Sequence, residues 1–247
     1  MRTRDRRFAG LFLALSAALA LLTMQAAGAD ELKPFEVSYG WNYGGLGNVA
    51  VSKLKLEQRD AQTWVYTSES EPRGLGKLFP ERPKMESVLR VTAAGVQPLS
   101  YKATAGTAST QRDVDIKYDW KQMRVTGVYE GNPIDIPLKP GVLDDLSAQI
   151  ALMVELMRGH TVDSFLLVTK SGVRLHHYTK ETTDTIGTKI GTVPAIVYRS
   201  EAEYSPRATR YWCAADHGYI PMRVQQKKGD SIEWTMQLES FKRDEQL

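Results

Sequence analysis

The chain has 247 residues, of which 42% are hydrophobic, with 32 basic and 29 acidic side chains. Four of the basic residues and one acidic residue lie in positions 1–29, so positions 30–247 contain 28 of each and carry no net charge. This balance argues against binding to nucleic acid, or to an anionic membrane through overall charge, and we expect neither.

The first 29 residues have the order of a secretory signal peptide. An arginine-rich start precedes an apolar run from Phe8 to Met24. The small residues Ala27-Gly28-Ala29 then form a typical cleavage site just before Asp30. We predict cleavage between Ala29 and Asp30 and export to the periplasm, leaving one soluble β-rich domain over positions 30–247 with no stable membrane anchor. The apolar run is short for a membrane span, although an uncleaved anchor is the alternative. Arg6-Arg7 leaves open whether export follows the Sec or the twin-arginine route.

Alternation of apolar and polar residues dominates the rest of the chain and predicts β-strands. The first strand presents one face made of Phe35, Val37, Tyr39, Trp41 and Tyr43. In the next, "VAVSKLKLEQ", the apolar phase slips by one residue, which predicts a β-bulge. Neither a linker nor a low-complexity tract divides the roughly dozen strands. We therefore predict a mainly β fold, a strongly curved antiparallel sheet or incomplete barrel packed around one helix.

The stretch "GVLDDLSAQIALMVELMRG" is the one long helical pattern after the leader, and it predicts a helix over about residues 143–158. Asp144 or Asp145 can cap its start, and Gly159 can end it. Its core-facing stripe consists of Leu143, Leu146, Ile150, Met153, Val154 and Met157.

Leu152 and Leu156 lie well away from this stripe, and a helix that is apolar on two sides is covered on two sides. One interpretation is that a loop such as "PRGLGKLFPERP" folds over them. The other is that the helix plugs the curved sheet and lines a cavity for an apolar ligand, where Met153 and Met157 would suit a pocket of adaptable shape.

Catalytic and metal-binding patterns are not evident, so we predict no metal, no cofactor and no enzymatic activity, with an enzyme as a remote alternative. His176 and His177 are neighbours in a strand and face opposite ways, which prevents joint chelation. Asp113 and Asp115 share a strand face but lack the oxygen-rich loop that calcium needs. Cys213 is the only cysteine, and we expect a buried, inert thiol.

Seven segments, in order from "LKPFEVSYGWNYGGLGNVAVSKLKL" to "RYWCAADHGYIPMRVQQ", resemble a bacterial family called domain of unknown function 3108. The family carries no agreed activity, so the resemblance transfers no site residues. The tail "YWCAADHGYIPMRVQQKKGD" is also similar to periplasmic lipoprotein carriers, whose fold is an incomplete antiparallel barrel holding helices over an apolar cavity. Those proteins use several helices where this chain shows one, so the likeness supports the architecture more than lipid carriage.

We expect a periplasmic, non-enzymatic binding or carrier protein for an apolar or amphipathic envelope component, such as a lipid. The alternative is a structural or interaction protein that contacts an envelope protein through an exposed strand or the "PRGLGKLFPERP" loop. Core packing explains most of the aromatic residues, although a ligand-stacking platform is the other interpretation. The predicted pocket-lining residues are Trp41, Trp64, Leu152, Met153, Leu156 and Met157.

Overall fold

A computed structural model describes residues 32–79 and 81–243. The predicted leader and its cleavage point at Ala29 and Asp30 lie outside these residues. The strands are β1 (Phe35–Tyr43), β2 (Asn48–Gln58), β3 (Thr63–Pro72), β4 (Lys84–Thr92), β5 (Gly95–Thr104), β6 (Val114–Asp119), β7 (Arg124–Tyr129), β8 (Asn132–Pro137), β9 (Val142–Leu143), β10 (Ser164–Thr169), β11 (Gly172–Thr188), β12 (Gly191–Ala202), β13 (Arg207–Ala214), β14 (Ile220–Lys228) and β15 (Ser231–Arg243). The helix α1 is Asp145–Met157, and short 3-10 turns occupy Gly44–Leu46, Gly74–Leu78 and Ala215–His217.

All fifteen strands form one sheet in the order β8-β7-β6-β5-β4-β3-β2-β1-β15-β14-β13-β12-β11-β10-β9. The pairs are antiparallel except for β9 with β10. These two strands, which precede and follow the helix in the chain, run parallel. The first strand pairs with the last in the middle of the sheet, while β8 and β9 form its two edges. The sheet is therefore open, and the predicted fold class, mainly β with one helix inside a curved antiparallel sheet, is confirmed.

The ends of the helix follow from local chemistry. The Asp144 side-chain oxygen Oδ1 accepts hydrogen bonds from the backbone N–H groups of Leu146 at 3.0 Å and Ser147 at 2.8 Å. The Ser147 hydroxyl accepts in return from the Asp144 backbone N–H at 2.8 Å, which completes a capping box. At the other end Gly159 adopts a φ of +76°, the left-handed conformation that glycine tolerates best.

The strands bury one face through simple alternation. In β1, Phe35, Val37 and Tyr39 are buried, whereas Glu36 and Ser38 between them are only partly covered. The side chains on this inner face of the sheet and the main stripe of the helix form one large hydrophobic core.

The second apolar side of the helix is also covered. Leu152 and Leu156 are only 1% and 5% exposed, and they belong to a separate cluster with Val162, Tyr178, Tyr198 and Cys213. The cover is therefore provided by strands β11 to β13 and the segment before β10. The interpretation that the "PRGLGKLFPERP" loop covers these leucines is wrong, because the sheet curls far enough for its own strands to reach both sides of the helix.

Cys213 lies in this second cluster and is fully buried. Burial raises the pKa of its thiol to about 12, so the thiol stays protonated near neutral pH.

Within residues 32–79 and 81–243, no helix is both long and apolar enough to cross a bilayer.

Candidate ligand-binding groove

The four predicted site residues on the helix do not share one pocket. Met153 is fully buried in the main core, and Leu156 is buried in the smaller cluster. Leu152 contributes to the wall of a cavity beside the helix, while Met157 lies at a separate depression near the C-terminal end of the helix. Most of the apolar surface of the helix is therefore buried against the rest of the protein.

The two predicted tryptophans also lie apart. Trp64 joins Met157 at the depression near the helix end, whose volume is about 410 Å³. Trp41 lines an open groove of about 590 Å³ beside the β1–β2 turn. The structure thus distributes the six predicted residues among three concave regions and the core.

The groove at Trp41, which we call the apolar groove, lies where the β1–β2 turn, the start of β2 and the end of β3 meet the loop after β3. Its charged residues are few: Glu71, Glu81 and Arg112. The apolar side chains that line it are Trp41, Tyr43, Leu46, Val49, Ala50, Pro72, Phe79 and Pro83.

Trp41 contributes an apolar ring to this groove, and the indole N–H, its one polar group, is already hydrogen-bonded. Its indole N–H donates to the Ser52 hydroxyl at 2.6 Å. The ring packs on Trp234 with 4.9 Å between ring centroids, and Trp234 donates its own N–H to Gln226 at 3.1 Å. Trp234 lines the cavity beside the helix, so one member of this aromatic pair lines each of the two concave regions.

A β-bulge in β2 positions one side of the groove. Trp41 is opposite Ala50 and Asn42 is opposite Asn48, which leaves Val49 as the extra residue. The predicted position of the bulge, at the apolar slip between Val51 and Leu54, is wrong, because the pairing of β2 with both neighbours is regular there and the bulge lies at Val49. The Val49 carbonyl accepts a 2.7 Å hydrogen bond from the Arg73 backbone N–H, which fastens the loop after β3 to the bulge.

The loop packs closely on the bulge and is anchored by ion pairs. A Cβ at Gly76 would lie 1.8 Å from the Val49 carbonyl oxygen, so only glycine fits there. Arg73 reaches Glu239 at 2.9 Å, and Lys189 reaches the same carboxylate at 2.7 Å. The hydrogen bond from Lys189 is the main reason that the pKa of Glu239 is lowered, which keeps this anchor ionised.

The far end of the loop is held as well. The Ser70 backbone N–H donates to the Pro83 carbonyl at 2.9 Å, and the Arg82 backbone N–H donates to the Ala105 carbonyl at 3.0 Å. Arg112 pairs with Glu81 at 3.2 Å on the rim of the groove. Both ends of the loop are therefore tied to the sheet and its neighbouring turns.

Exposed apolar side chains concentrate around this groove. Ten large hydrophobic side chains are exposed among the described residues, and five of them lie on the β1–β2 turn and on the loop after β3. They are Tyr43 at 53%, Leu46 at 46%, Leu75 at 55%, Leu78 at 80% and Phe79 at 55%. Three of them, Tyr43, Leu46 and Phe79, line the groove together, and exposed apolar side chains grouped in this way are typical of a binding surface.

The cavity beside the helix, which we call the helix-side cavity, has a different character. It has a volume of about 340 Å³ and lies between the start of α1 and strands β10 to β15. Its acidic, basic and histidine lining residues are Asp145, Arg174, His176, Glu201 and Arg207. Burial raises the pKa of Asp145, and Glu130 adds to this effect.

Metal chemistry has no evident centre in the described part of the chain. No group of three or more His, Cys, Asp or Glu side chains there is arranged to hold a metal ion. His176 lines the helix-side cavity and its pKa is lowered by burial and by Arg174, so the ring is neutral near pH 7.

Sequence reasoning missed Tyr43, Leu46 and Phe79 as members of one groove. A signal was present, because "GGLG" and "GLGKLF" both place apolar residues among glycines, where turns rather than strand interiors are expected. What the pattern lacked was any indication that these two turns lie side by side.

Solved structures with similar folds are distant in sequence. A β-barrel-like protein of domain of unknown function DUF1849 from Brucella abortus aligns with a TM-score of 0.57 at 8% identity, covering 87% of this chain and 100% of that one. A protein assigned as exported, with a YmcC-like fold, from Bacteroides fragilis has a TM-score of 0.39 at 10% identity, covering 86% and 97%. A protein assigned as a lipoprotein from Parabacteroides distasonis has a TM-score of 0.35 at 10% identity, covering 85% and 96%.

The first of these structures supports the barrel-like fold and nothing beyond it. None of the three is described as a lipoprotein carrier, so the likeness to that group stays a prediction. No curated protein matches the chain significantly. The family model described as protein of unknown function (DUF3108) matches residues 34–235, and the chain belongs to that family.

Proposed function

We propose that this protein is an exported, periplasmic binding or carrier protein that holds the apolar part of an amphipathic envelope component in the apolar groove. The observation that carries the proposal is the groove itself, whose volume of about 590 Å³ is bounded mainly by aromatic, aliphatic and proline side chains. Small-molecule sites in proteins have volumes of about 300–1,000 Å³ and combine an apolar lining with a few polar groups.

Folding leaves several apolar side chains of the groove partly in water. Tyr43, Leu46 and Phe79 line the groove and are each about half exposed. Covering a side chain of this size fully contributes about 1.5–3 kcal/mol relative to leaving it exposed. An occupant with an apolar tail would recover part of this free energy at three adjacent positions.

The polar part of such a ligand has a complementary position. The Arg112–Glu81 pair lies on the rim, with 62% and 36% of the two side chains exposed. A charged or zwitterionic head group would replace water around this ion pair, while the apolar tail would lie in the groove between Trp41 and Phe79. We propose that, among the residues predicted from the sequence, Trp41 is the one that contacts the ligand directly.

Lipid retention and probe binding test this function. Protein recovered after export is analysed by native mass spectrometry for bound lipid, and it is titrated with a fluorescent fatty-acid analogue. We expect Leu46→Asp to weaken probe binding at least tenfold, because a carboxylate in an apolar groove must lose hydration when the probe binds.

Tyr204→Asp is the matched control. Tyr204 is fully exposed, lies outside the groove and has a φ of +58°, which aspartate tolerates. This variant should retain both lipid and probe affinity. A wild-type protein that carries no lipid and binds no probe, or equal binding by both variants, would refute the proposal.

A further inference from the structure

Two of the exposed apolar side chains lie beside the groove without lining it. Leu75 and Leu78 belong to the 3-10 turn Gly74–Leu78 and are 55% and 80% exposed. The turn is held by the 2.8 Å bond from the Gly76 N–H to the Arg73 carbonyl and by the buried contact of Gly76 with Val49. The backbone thus presents both leucines to solvent from a well-anchored position.

Local charge around these leucines differs from that of the whole chain. Segment 73–84 contains four basic residues and one acidic residue, although positions 30–247 are neutral. Arg73, Arg82 and Lys84 each have a glutamate partner. Among the described residues Lys77 has no ion-pair partner, and it lies between the two leucines.

We propose that this segment, the docking loop formed by residues 73–79, rests on the surface of a lipid bilayer, with Leu75 and Leu78 inserted into the interface. Lys77 would then lie among the head groups, where a lysine can keep its charge hydrated while its methylene stem contacts apolar surface. Because the loop also forms one wall of the apolar groove, docking would bring the groove against a source of amphipathic ligand. This last role rests on the proposed function, whereas docking itself does not.

A bilayer fits this loop better than a protein partner. Protein interfaces are enriched in aromatic and arginine anchors and depleted in lysine. The docking loop exposes Leu75, Leu78 and Phe79, and its arginine, Arg73, is already bound to Glu239. Among the described residues its remaining cation is Lys77, and aliphatic and aromatic tips beside a lysine are typical of interfacial membrane segments. Anionic lipid should strengthen the contact through Lys77.

Vesicle flotation of the exported protein, its intact mass confirming loss of the predicted leader, tests this proposal. We expect wild-type protein to float with phosphatidylcholine vesicles and more strongly when phosphatidylglycerol is included. Leu75→Ser combined with Leu78→Ser should weaken binding about a hundredfold, since each leucine contributes about a tenfold change. Lys77→Gln should weaken binding about fivefold on the anionic vesicles only.

Val128→Ser combined with Tyr204→Ser is the matched control, because both side chains are exposed on other parts of the surface. Equal flotation of the leucine and control variants, or no flotation of wild-type protein, would overturn the docking proposal. Cross-linking from the loop to an envelope protein, lost in the leucine variant while flotation persists, would also overturn it. Probe binding by the leucine variant reports the groove separately, so docking can fail while the proposed function stands.

Discussion

The apolar groove and the helix-side cavity each include one member of the Trp41–Trp234 pair, yet they differ in size, in lining and in the elements that form them. The groove is built from turns, is open to solvent, and is lined mainly by apolar side chains. The cavity is smaller, is built mainly from the helix and regular strands, and is lined by five acidic, basic or histidine side chains. A second contrast is between apolar side chains that the fold itself buries and apolar side chains that stay exposed after folding.

The helix provides the buried side chains of this contrast. Leu152 and Leu156, which pointed to a ligand pocket in the sequence, are already covered by strands of the same chain. Tyr43, Leu46 and Phe79 have no such cover and are about half exposed. Buried apolar residues in this protein therefore support the fold, and we infer ligand binding from those that the fold leaves exposed.

Leu152→Ala gives the largest expected effect on stability and tests this contrast directly. Removing a fully buried leucine should lower the free energy of unfolding by about 2–5 kcal/mol, measured by urea denaturation. Probe binding at temperatures where the variant is folded should match that of wild type. A selective loss of probe binding without loss of stability would instead make the helix part of the ligand site.

Asp144→Asn tests the start of the helix, next to Asp145 of the helix-side cavity, through the pH dependence of stability. Burial raises the pKa of Asp144 to about 7, against hydrogen bonds from Ser147 and Ser87 that lower it. The folded protein therefore keeps this proton until about pH 7, whereas the unfolded chain releases it near pH 4. Because the folded state binds more protons in that window, the wild-type protein loses stability as the pH rises from about 4 to about 7.

Asparagine retains the capping oxygen without the charge, so the variant should gain stability relative to wild type as the pH rises. The gain should be of the order of 2–4 kcal/mol at pH 8 and close to zero at pH 4. Urea denaturation at a series of pH values measures it. A gain that is independent of pH, or a variant that is less stable at pH 8, would contradict this account of Asp144.

Gly76→Ala should produce the smallest change in stability and a specific change in the groove. The added methyl cannot fit 1.8 Å from the Val49 carbonyl, so the turn must shift, at a cost of about 1–3 kcal/mol. Since the same turn forms a wall of the groove, we expect weaker binding of the fatty-acid analogue. Unchanged probe affinity and unchanged thermal stability together would mean that the turn does not shape the site.

Short-range patterns predicted the elements of this fold well. The stretch around Asp144 and Gly159 specifies its own helix ends, because capping groups lie within a few residues of the groups they satisfy. Alternation along β1 likewise indicated which face is buried, since neighbouring side chains of a strand point to opposite sides. The groove was less predictable, because it unites Trp41 and Leu46 with Phe79 and Arg112 from separate turns.

The amino-acid sequence by itself determined the family, the strand and helix content, and the apolar surplus on the helix. The pairing of β1 with β15, the reach of β11 to β13 over Leu152, and the anchoring of Arg73 on Glu239 were decided by the tertiary structure alone. The physical reason is distance along the chain. Capping and alternation depend on near neighbours, whereas the cover of an apolar side chain depends on how far a whole sheet curls.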